Sequence, residues 1–207
     1  MWYRSVNKFV VGLLVCGGIA YGEVQRQQFV GVSVGGGINS AFLSNNTGQQ
    51  VQIDSGGGVS VGVLYGGEIT LNHGFGFRGY TRFDYYQAIY KASQPGMNTI
   101  NTFQIGFNAD LLYDFINQER VKMGVFAGFG YGWNFYSGSA IDFIYAKIGD
   151  TDFAANAGAR VVFAQRHGVE FVARVPILLN TIMQDIYNTT KIQDRRINFS
   201  LRYAFYF

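Results

Sequence analysis

Apolar and polar positions alternate without interruption along the last thirteen residues of the chain, 195–207. Large apolar residues occupy every odd position from Ile197 to Phe207. The even positions hold Arg196, Asn198, Ser200, Arg202 and Ala204. A period of two places the two sets on opposite faces of a β-strand. One strongly apolar face opposite a polar face is typical of a transmembrane strand, which has lipid on one side and a polar lumen on the other. An edge strand of a soluble sandwich is the alternative.

Seven earlier segments show the same alternation. They cover approximately residues 29–39, 57–72, 75–90, 102–115, 121–136, 152–164 and 169–179. Each is long enough to cross the hydrocarbon layer as a tilted strand, which takes about 9–11 residues. Because lipid cannot satisfy an open sheet edge, the sheet has to close on itself. The sequence therefore predicts an all-β protein, an eight-stranded antiparallel transmembrane β-barrel with an up-and-down meander.

Short and long connections alternate between these segments. The short ones are 73–74, 116–120 and 165–168, and the long ones are 40–56, 91–101, 137–151 and 180–194. Barrels of this kind have short periplasmic turns and longer extracellular loops. Both chain termini are therefore predicted to lie on the periplasmic side.

The first 22 residues have the features of a secretory signal peptide. Arg4 and Lys8 precede an apolar run over 9–19, and Ala20 and Gly22 supply small residues at a cleavage site. Residues 23–207 are then the predicted barrel. Cys16 allows a lipoprotein signal as an alternative, although such signals usually have a small residue where this chain has Val15. Cleavage after Gly22 would leave the mature chain without cysteine, and so without a disulfide.

Composition agrees with a barrel and gives no sign of a nucleic-acid partner. Aromatic residues make up 17% of the chain and glycines number 28, whereas mean hydropathy is only +0.08. Apart from the signal, no apolar run approaches the length of a spanning helix. The 16 basic and 13 acidic residues give a net charge of +3, which falls further when Arg4 and Lys8 leave with the signal. Nucleic-acid binding domains are far more basic.

The alternation assigns a set of charged residues to the lumen. They are Glu68, Arg78, Arg82, Asp84, Asp110, Asp114, Lys122, Arg160, Glu170, Arg174, Arg196 and Arg202. These charges could line a selective pore or form an ion-paired plug. The interior of an eight-stranded barrel is just wide enough for side chains to fill, and buried charges require partners. The plug is therefore preferred. It predicts that Arg78, Arg82, Arg160, Arg174 and Arg202 pair with Glu68, Asp84, Asp110, Asp114 and Glu170.

No residues suggest a catalytic, cofactor or metal site. The two histidines, His73 and His167, fall in predicted periplasmic turns, whereas an outer-membrane lipid hydrolase needs a His–Ser pair near the outer leaflet. No His, Cys and carboxylate cluster has metal-ligand spacing. The glycine runs at 56–58 and 128–132 do not open a helix, so they are not phosphate loops. The sequence predicts that the protein is not an enzyme.

Several stretches resemble the Helicobacter family of outer-membrane proteins, including the Hop and Hor types. These stretches are GFRGY at 76–80, FDY at 83–85, NADLLYDF at 108–115, GVFAGFG at 124–130, HGVEF at 167–171, RVP at 174–176 and the terminal strand. The likeness covers roughly residues 57–207, which correspond to the C-terminal barrel domain of that family. It implies an outer-membrane location among lipids and lipopolysaccharide. The terminal Phe207 resembles the signal read by the barrel-assembly machinery, an expected partner during biogenesis.

Adhesion to host surfaces is known for some larger relatives in this family. The long N-terminal region of those adhesins has no counterpart here, so adhesion through the long loops is a hypothesis, with an unknown host-surface ligand. The overall prediction is a surface-exposed integral outer-membrane protein that binds a ligand through its extracellular loops. A narrow channel and a lipid-modifying enzyme are the alternative functions.

Overall fold

The computed structural model describes residues 25–45, 47, 49–71, 73–90, 99–138, 149–184 and 190–207, and the predicted signal peptide 1–22 lies outside them. Nine strand segments follow one another within this part of the chain. They are β1 (Gln25–Asn45), β2 (Gln50–Thr70), β3 (Phe75–Tyr90), β4 (Thr99–Asn117), β5 (Val121–Ser137), β6 (Gly149–Phe163), β7 (His167–Pro176), β8 (Asn180–Gln184) and β9 (Thr190–Tyr206).

The strands form a closed antiparallel barrel. Successive strands from β1 to β7 pair with each other, and β9 pairs with both β7 and β1. Gln28 and Phe207 exchange two backbone hydrogen bonds, 3.1 and 2.9 Å long, where the first and last strands meet. β7 and β8 both pair with the side of β9 that faces away from β1, so the barrel has eight strand positions. The predicted eight-stranded meander is confirmed.

The seventh strand position is interrupted at Pro176, the residue expected from the sequence to weaken the far end of the predicted strand over 169–179. Arg174 lies opposite Asn198, whereas Asn180 lies opposite Asp194, so two extra residues are accommodated between β7 and β8. Pro176 ends β7 because proline has no N–H to donate to the next strand. The prediction of one continuous strand over 169–179 was therefore wrong at its far end.

The first connection is much shorter than predicted. Most of the predicted loop 40–56 is strand, because β1 continues to Asn45 and β2 begins at Gln50. The Asn45 side chain accepts a 3.0 Å hydrogen bond from the Gln49 backbone N–H and orders the turn between the two strands. The predicted loop lies beyond the lipid-facing band of the barrel, where the strict alternation of apolar and polar residues is no longer needed and the sequence mixes both kinds.

The register fixes the stagger of the barrel. Following directly opposed residues from Arg174 through β6, β5, β4, β3 and β2 leads to Gln27 on β1. Following them the other way, through Asn198 on β9, leads to Gly37. Gln27 and Gly37 are ten positions apart on β1, which is the shear of the barrel. A stagger of this size tilts the strands and sets a narrow interior.

The outer wall is apolar and the interior holds both apolar clusters and charges. Large apolar side chains are exposed on the outer face of each of the eight strand positions, from Val30, Val32, Val34 and Ile38 on β1 to Phe199, Leu201 and Tyr203 on β9. We call the end with residues 71, 73–74, 118–120, 164–166 and both described termini the turn end, and the opposite end the loop end. An apolar cluster around Phe29 and Tyr206 fills the lumen towards the turn end. A second apolar cluster, around Tyr86 and Tyr90, fills it towards the loop end. No helix in the described residues is long and apolar enough to span a membrane.

Candidate functional site

Arg160 on β6 joins two carboxylates across the lumen. Its Nη1 and Nη2 donate to the two carboxylate oxygens of Glu68 on β2 at 2.6 and 2.8 Å. Its Nε and Nη2 donate to Asp114 on β4 at 2.8 and 2.6 Å. All three side chains are almost fully buried. β2 and β6 are four strand positions apart in an eight-stranded barrel, so the Arg160–Glu68 pair spans its full width.

Arg78 forms a second bridge across the barrel. It donates to Asp110 on the neighbouring β4, with an Nη2 to Oδ2 distance of 2.8 Å, and it also pairs with Glu170 on β7. β3 and β7 again lie on opposite walls. The rings of Phe29, Tyr80 and Phe126 surround the guanidinium carbon at 5.7, 5.1 and 4.7 Å. These distances allow cation–π contact with each ring, so aromatic faces fill the space that the ion pairs leave.

A third network lies nearer the loop end. Arg174 on β7 pairs with Asp152 on β6 and donates to Asn156 at 2.9 Å. Gln104 donates to the same Asp152 at 2.6 Å and accepts from Arg82 at 2.6 Å. Arg82 in turn pairs with Asp84. Side chains from β3, β4, β6 and β7 are thereby connected into one layer.

The last polar layer combines an ion pair with tyrosines. Asp194 on β9 accepts a 2.8 Å hydrogen bond from the Tyr90 hydroxyl and pairs with Arg196 at 3.3 Å. The Arg196 guanidinium lies 4.0 Å from the centre of the Tyr86 ring. Between this layer and the third network is a cavity of about 30 Å³ that is lined mainly by polar residues. A space of this size holds a water molecule but not a solute, since a water needs roughly 10–15 Å³ on the same measure.

The structure brings together most of the predicted lumen residues. All twelve predicted inward charges are buried or half-buried. Arg78, Arg82 and Arg160 pair with predicted carboxylates, and Arg202 approaches Glu170 at 3.8 Å and donates to the Tyr80 hydroxyl at 3.0 Å. Lys122 donates to Gln25 at 2.9 Å. The ion-paired plug is therefore observed.

One predicted pairing was wrong, and two carboxylates were missed. Arg174 pairs with Asp152, which was not among the predicted partners, and Asp194 was assigned to a loop. The alternation of β6 does place Asp152 on the inner face with Asn156 and Arg160, so the signal was present. Asp194 could not be found in the same way, because its strand was predicted to begin at 195.

Glycines of β5 make room for the carboxylates of β4. Gly124 lies directly opposite Asp114, and Gly128 lies opposite Asp110. A Cβ atom on either glycine would come within 2.3–2.4 Å of the facing carboxylate oxygen. Real Cβ atoms do not make such short contacts, so both positions need glycine. The glycine run at 128–132 is therefore part of the lumen packing, and it lies in a strand as predicted.

The histidines are not arranged as a hydrolase site in the part of the chain described. His73 is exposed in the turn between β2 and β3. His167, at the start of β7, has its Nδ1 2.7 Å from the Tyr203 hydroxyl and stacks on Phe163. Both lie at the turn end. Across the described residues, no group of three or more His, Cys, Asp or Glu side chains could hold a metal ion.

The loop end carries a raised wall of strands. Beyond Ile38, the last exposed large apolar residue on the outer face of β1, seven more residues continue the strand to Asn45 and add about 23 Å along it. β2 and β9 flank this extension. Leu43 lies opposite Val51 on one side and Ile192 on the other. Leu43 and Val51 are 39% and 61% exposed, so the wall presents an apolar row outside the lipid-facing band.

A closed barrel with an apolar outer wall and a charged, hydrogen-bonded interior defines an integral β-barrel membrane protein. The family model described as Helicobacter outer membrane protein matches residues 58–207. The chain belongs to this family and is an outer-membrane protein. None of the curated proteins matches the sequence.

Several solved structures are similar to the chain at low sequence identity. Neisserial surface protein A is 19% identical with a TM-score of 0.40, and the match covers 84% of this chain and 95% of that one. Ail, the attachment invasion locus protein of Yersinia pestis, is 11% identical with a TM-score of 0.33, covering 85% and 99%. The outer membrane enzyme PagL is 14% identical with a TM-score of 0.38, covering 79% and 97%.

Proposed function

We propose that this protein is a surface-exposed binding protein whose sealed barrel anchors it in the outer membrane. The observation that carries this proposal is the pair of ion bridges, Arg160–Glu68 and Arg78–Glu170, each of which spans the lumen. A solute cannot pass without breaking them, and breaking a buried ion pair is costly. The lumen is thus unsuited to transport, which leaves the ends of the barrel as the places where ligands can bind.

The orientation that goes with this proposal has both termini in the periplasm and the loop end outside the cell. The connection at 118–120 and the turn at 164–166 are short, and barrels of this kind have their short turns on the periplasmic side. The raised wall formed by the ends of β1, β2 and β9 then stands on the cell surface, where lipopolysaccharide surrounds it.

The binding surface in this proposal is centred on the exposed Val51 and Leu43, and the half-buried Ile192 beside them packs against the inner cluster around Tyr86 and Tyr90. Exposed apolar residues outside the lipid-facing band have no membrane to cover them, and such patches often mark contacts with partner proteins. The ligand class is a host-surface protein, and adhesion is the resulting activity. The two histidines lie at the opposite end of the barrel, so the surface proposed for binding contains neither of them.

The test compares adhesion of bacteria carrying two pairs of substitutions on the same hairpin. The double variant Leu43→Asp/Val51→Asp charges the apolar row, whereas Ser44→Asp/Gln50→Asp charges the opposed pair next to it, on the other face. We expect the first variant to lose adhesion to cultured epithelial cells and the second to keep it, at equal surface levels. Equal adhesion by both variants and the unmodified protein would contradict the proposal.

Two other functions have distinct signatures. A narrow channel would give unit conductance in a planar bilayer. A lipid-modifying enzyme would change the mass spectrum of outer-membrane lipids when the protein is expressed, and we expect these spectra to be unchanged. A mass shift in lipid A or phospholipid that depends on His167 would contradict a purely binding role.

A further inference from the structure

The lipid-facing wall of the barrel contains a groove where side chains are missing. Its floor is a row of directly opposed residues on four adjacent strands, Gln28, Gly67, Gly79 and Ala109. A Cβ atom on Gly79 would meet nothing within 4 Å, and one on Gly67 would meet only a backbone oxygen at 3.7 Å. These two glycines are therefore not required by packing within the barrel, unlike Gly124 and Gly128 in the lumen.

Larger side chains border this floor on both sides. One border follows Val30, Tyr65, Thr81 and Phe107, and the other follows Arg26, Ile69, Phe77 and Leu111. The borders lie four residues apart along each strand, or about 13 Å. Residues from the floor and from the Tyr65 border line an open groove of about 480 Å³.

The groove runs from the membrane surface into the hydrocarbon. Gln28 is three residues from the first residue of β1, at the turn end, whereas Ala109 is eight residues from the end of β4 at Asn117. The floor therefore climbs away from the turn end as it crosses the four strands. The part of the groove nearest the turn end is polar. There the Tyr65 hydroxyl donates a 2.9 Å hydrogen bond to Gln28. The exposed Arg26 lies two residues from Gln28 on the same face of β1. Among the described residues, Arg26 has no ion-pair partner.

We propose that this groove is a binding site for one glycerophospholipid of the inner leaflet. One acyl chain lies along Gly67 and Gly79 and ends near Phe107, while Arg26 and Gln28 bind the phosphodiester. A cation at the polar end and an apolar channel leading inward match the two parts of such a lipid, and surface arginines attract anionic headgroups. The choice of leaflet rests on the proposed orientation, in which the turn end is periplasmic.

The test is native mass spectrometry of the full-length mature barrel, released from detergent micelles that contain palmitoyl-oleoyl phosphatidylglycerol. We expect the unmodified protein to retain one lipid. Gly79→Leu fills the groove and should lower retention about tenfold, the effect of losing roughly two buried methylene contacts. Arg26→Gln should lower it about fivefold, as expected for one arginine near a lipid surface.

A matched control separates the groove from the wall in general. Gly57 is an exposed, outward glycine on the same strand as Gly67, and a Cβ there would lie 3.6 Å from a backbone oxygen, so Gly57→Leu adds the same side chain outside the groove. This variant should retain lipid normally. If Gly79→Leu does not fold, Gly67→Leu fills the groove from the neighbouring strand.

Three results would overturn the proposal. The first is unchanged retention in a folded Gly79→Leu or Gly67→Leu variant, and the second is an equal loss in Gly57→Leu. The third is retention of purified lipopolysaccharide instead of phosphatidylglycerol in a parallel micelle. Loss of cell adhesion plays no part in this test, so the lipid site and the proposed surface binding can fail separately.

Discussion

Arg160 and Glu68 form a two-pronged ion pair between opposite walls of the barrel, with nitrogen–oxygen distances of 2.6 and 2.8 Å. They lie 92 residues apart in the sequence. A guanidinium and a carboxylate that meet in this way are geometrically matched, and each is buried from water. The pair therefore crosses the lumen and ties β2 to β6.

Removing the charge of Arg160 should lower the free energy of unfolding more than neutralising Glu68. Arg160→Met leaves two buried carboxylates, Glu68 and Asp114, without their cation, at an expected cost of about 3–5 kcal/mol. Glu68→Gln leaves Arg160 paired with Asp114 and keeps hydrogen-bonding atoms in place, so we expect about 1–2 kcal/mol. The free energy of unfolding of each variant can be measured by reversible urea titration in micelles. Equal losses would show that Arg160 does not hold both carboxylates.

A charged residue on the lipid-facing side of β5 should destabilise the barrel. Phe129 lies in the middle of β5 on the outer face, and 57% of its surface is exposed. We expect Phe129→Arg to destabilise the barrel by about 2–4 kcal/mol, the cost of arginine near the bilayer midplane. Phe129→Leu keeps the surface apolar and is the control. Folding titrations into lipid vesicles measure both, and a tolerated arginine would contradict the assignment of this face.

Glycines in the lumen and in the outer groove should respond differently to the same small change. A Cβ on Gly128 would lie 2.1 Å from the backbone oxygen of Ala109, so Gly128→Ala has to move the strand, and about 1–3 kcal/mol of stability should be lost. A Cβ atom on Gly79 would contact nothing within 4 Å, so Gly79→Ala should leave the stability unchanged. Thermal unfolding of the two variants measures the contrast. A neutral Gly128→Ala would mean that the lumen is wider than the structure shows.

The proposed orientation can be tested with single cysteines on intact cells. Thr47 lies in the exposed turn between β1 and β2, and Gln118 lies in the exposed turn between β4 and β5 at the other end. We expect Thr47→Cys to react with a membrane-impermeant maleimide and Gln118→Cys to react only after the outer membrane is permeabilised. Labelling of Gln118→Cys on intact cells would reverse the orientation.

The alternation of residues was enough to predict the barrel, its closure and the inward position of twelve charged residues, although it did not lead to Asp152 and Asp194. In β4, for example, Asn108, Asp110 and Asp114 all point into the lumen as their parity requires. Parity does not identify partners, because these depend on the ten-residue shear, and no single strand encodes that stagger. The partners across the lumen, Glu170 for Arg78 and Glu68 for Arg160, are of this kind. Arg174 pairs with Asp152 on the neighbouring β6, a carboxylate that was not among the predicted inward charges.

Strand limits were predictable only inside the lipid band. The alternation weakens where a strand leaves the hydrocarbon, because both faces of its extension can then be polar. The residues of β1 beyond Ile38 and those of β9 before Arg195 therefore resembled loops, although they form paired strands. The glycines of β5 also indicate two inward carboxylates, because Gly124 and Gly128 lie opposite Asp114 and Asp110 and leave space for their side chains.

Conductance in a planar lipid bilayer tests the sealed lumen most directly. The purified barrel is inserted in concentrated potassium chloride, beside a porin that shows that the bilayer reports insertion. With Arg160–Glu68 and Arg78–Glu170 closing the lumen, the barrel should insert without producing discrete conductance steps. A stable unit conductance that rises with salt concentration would contradict the sealed lumen and the anchoring role that rests on it.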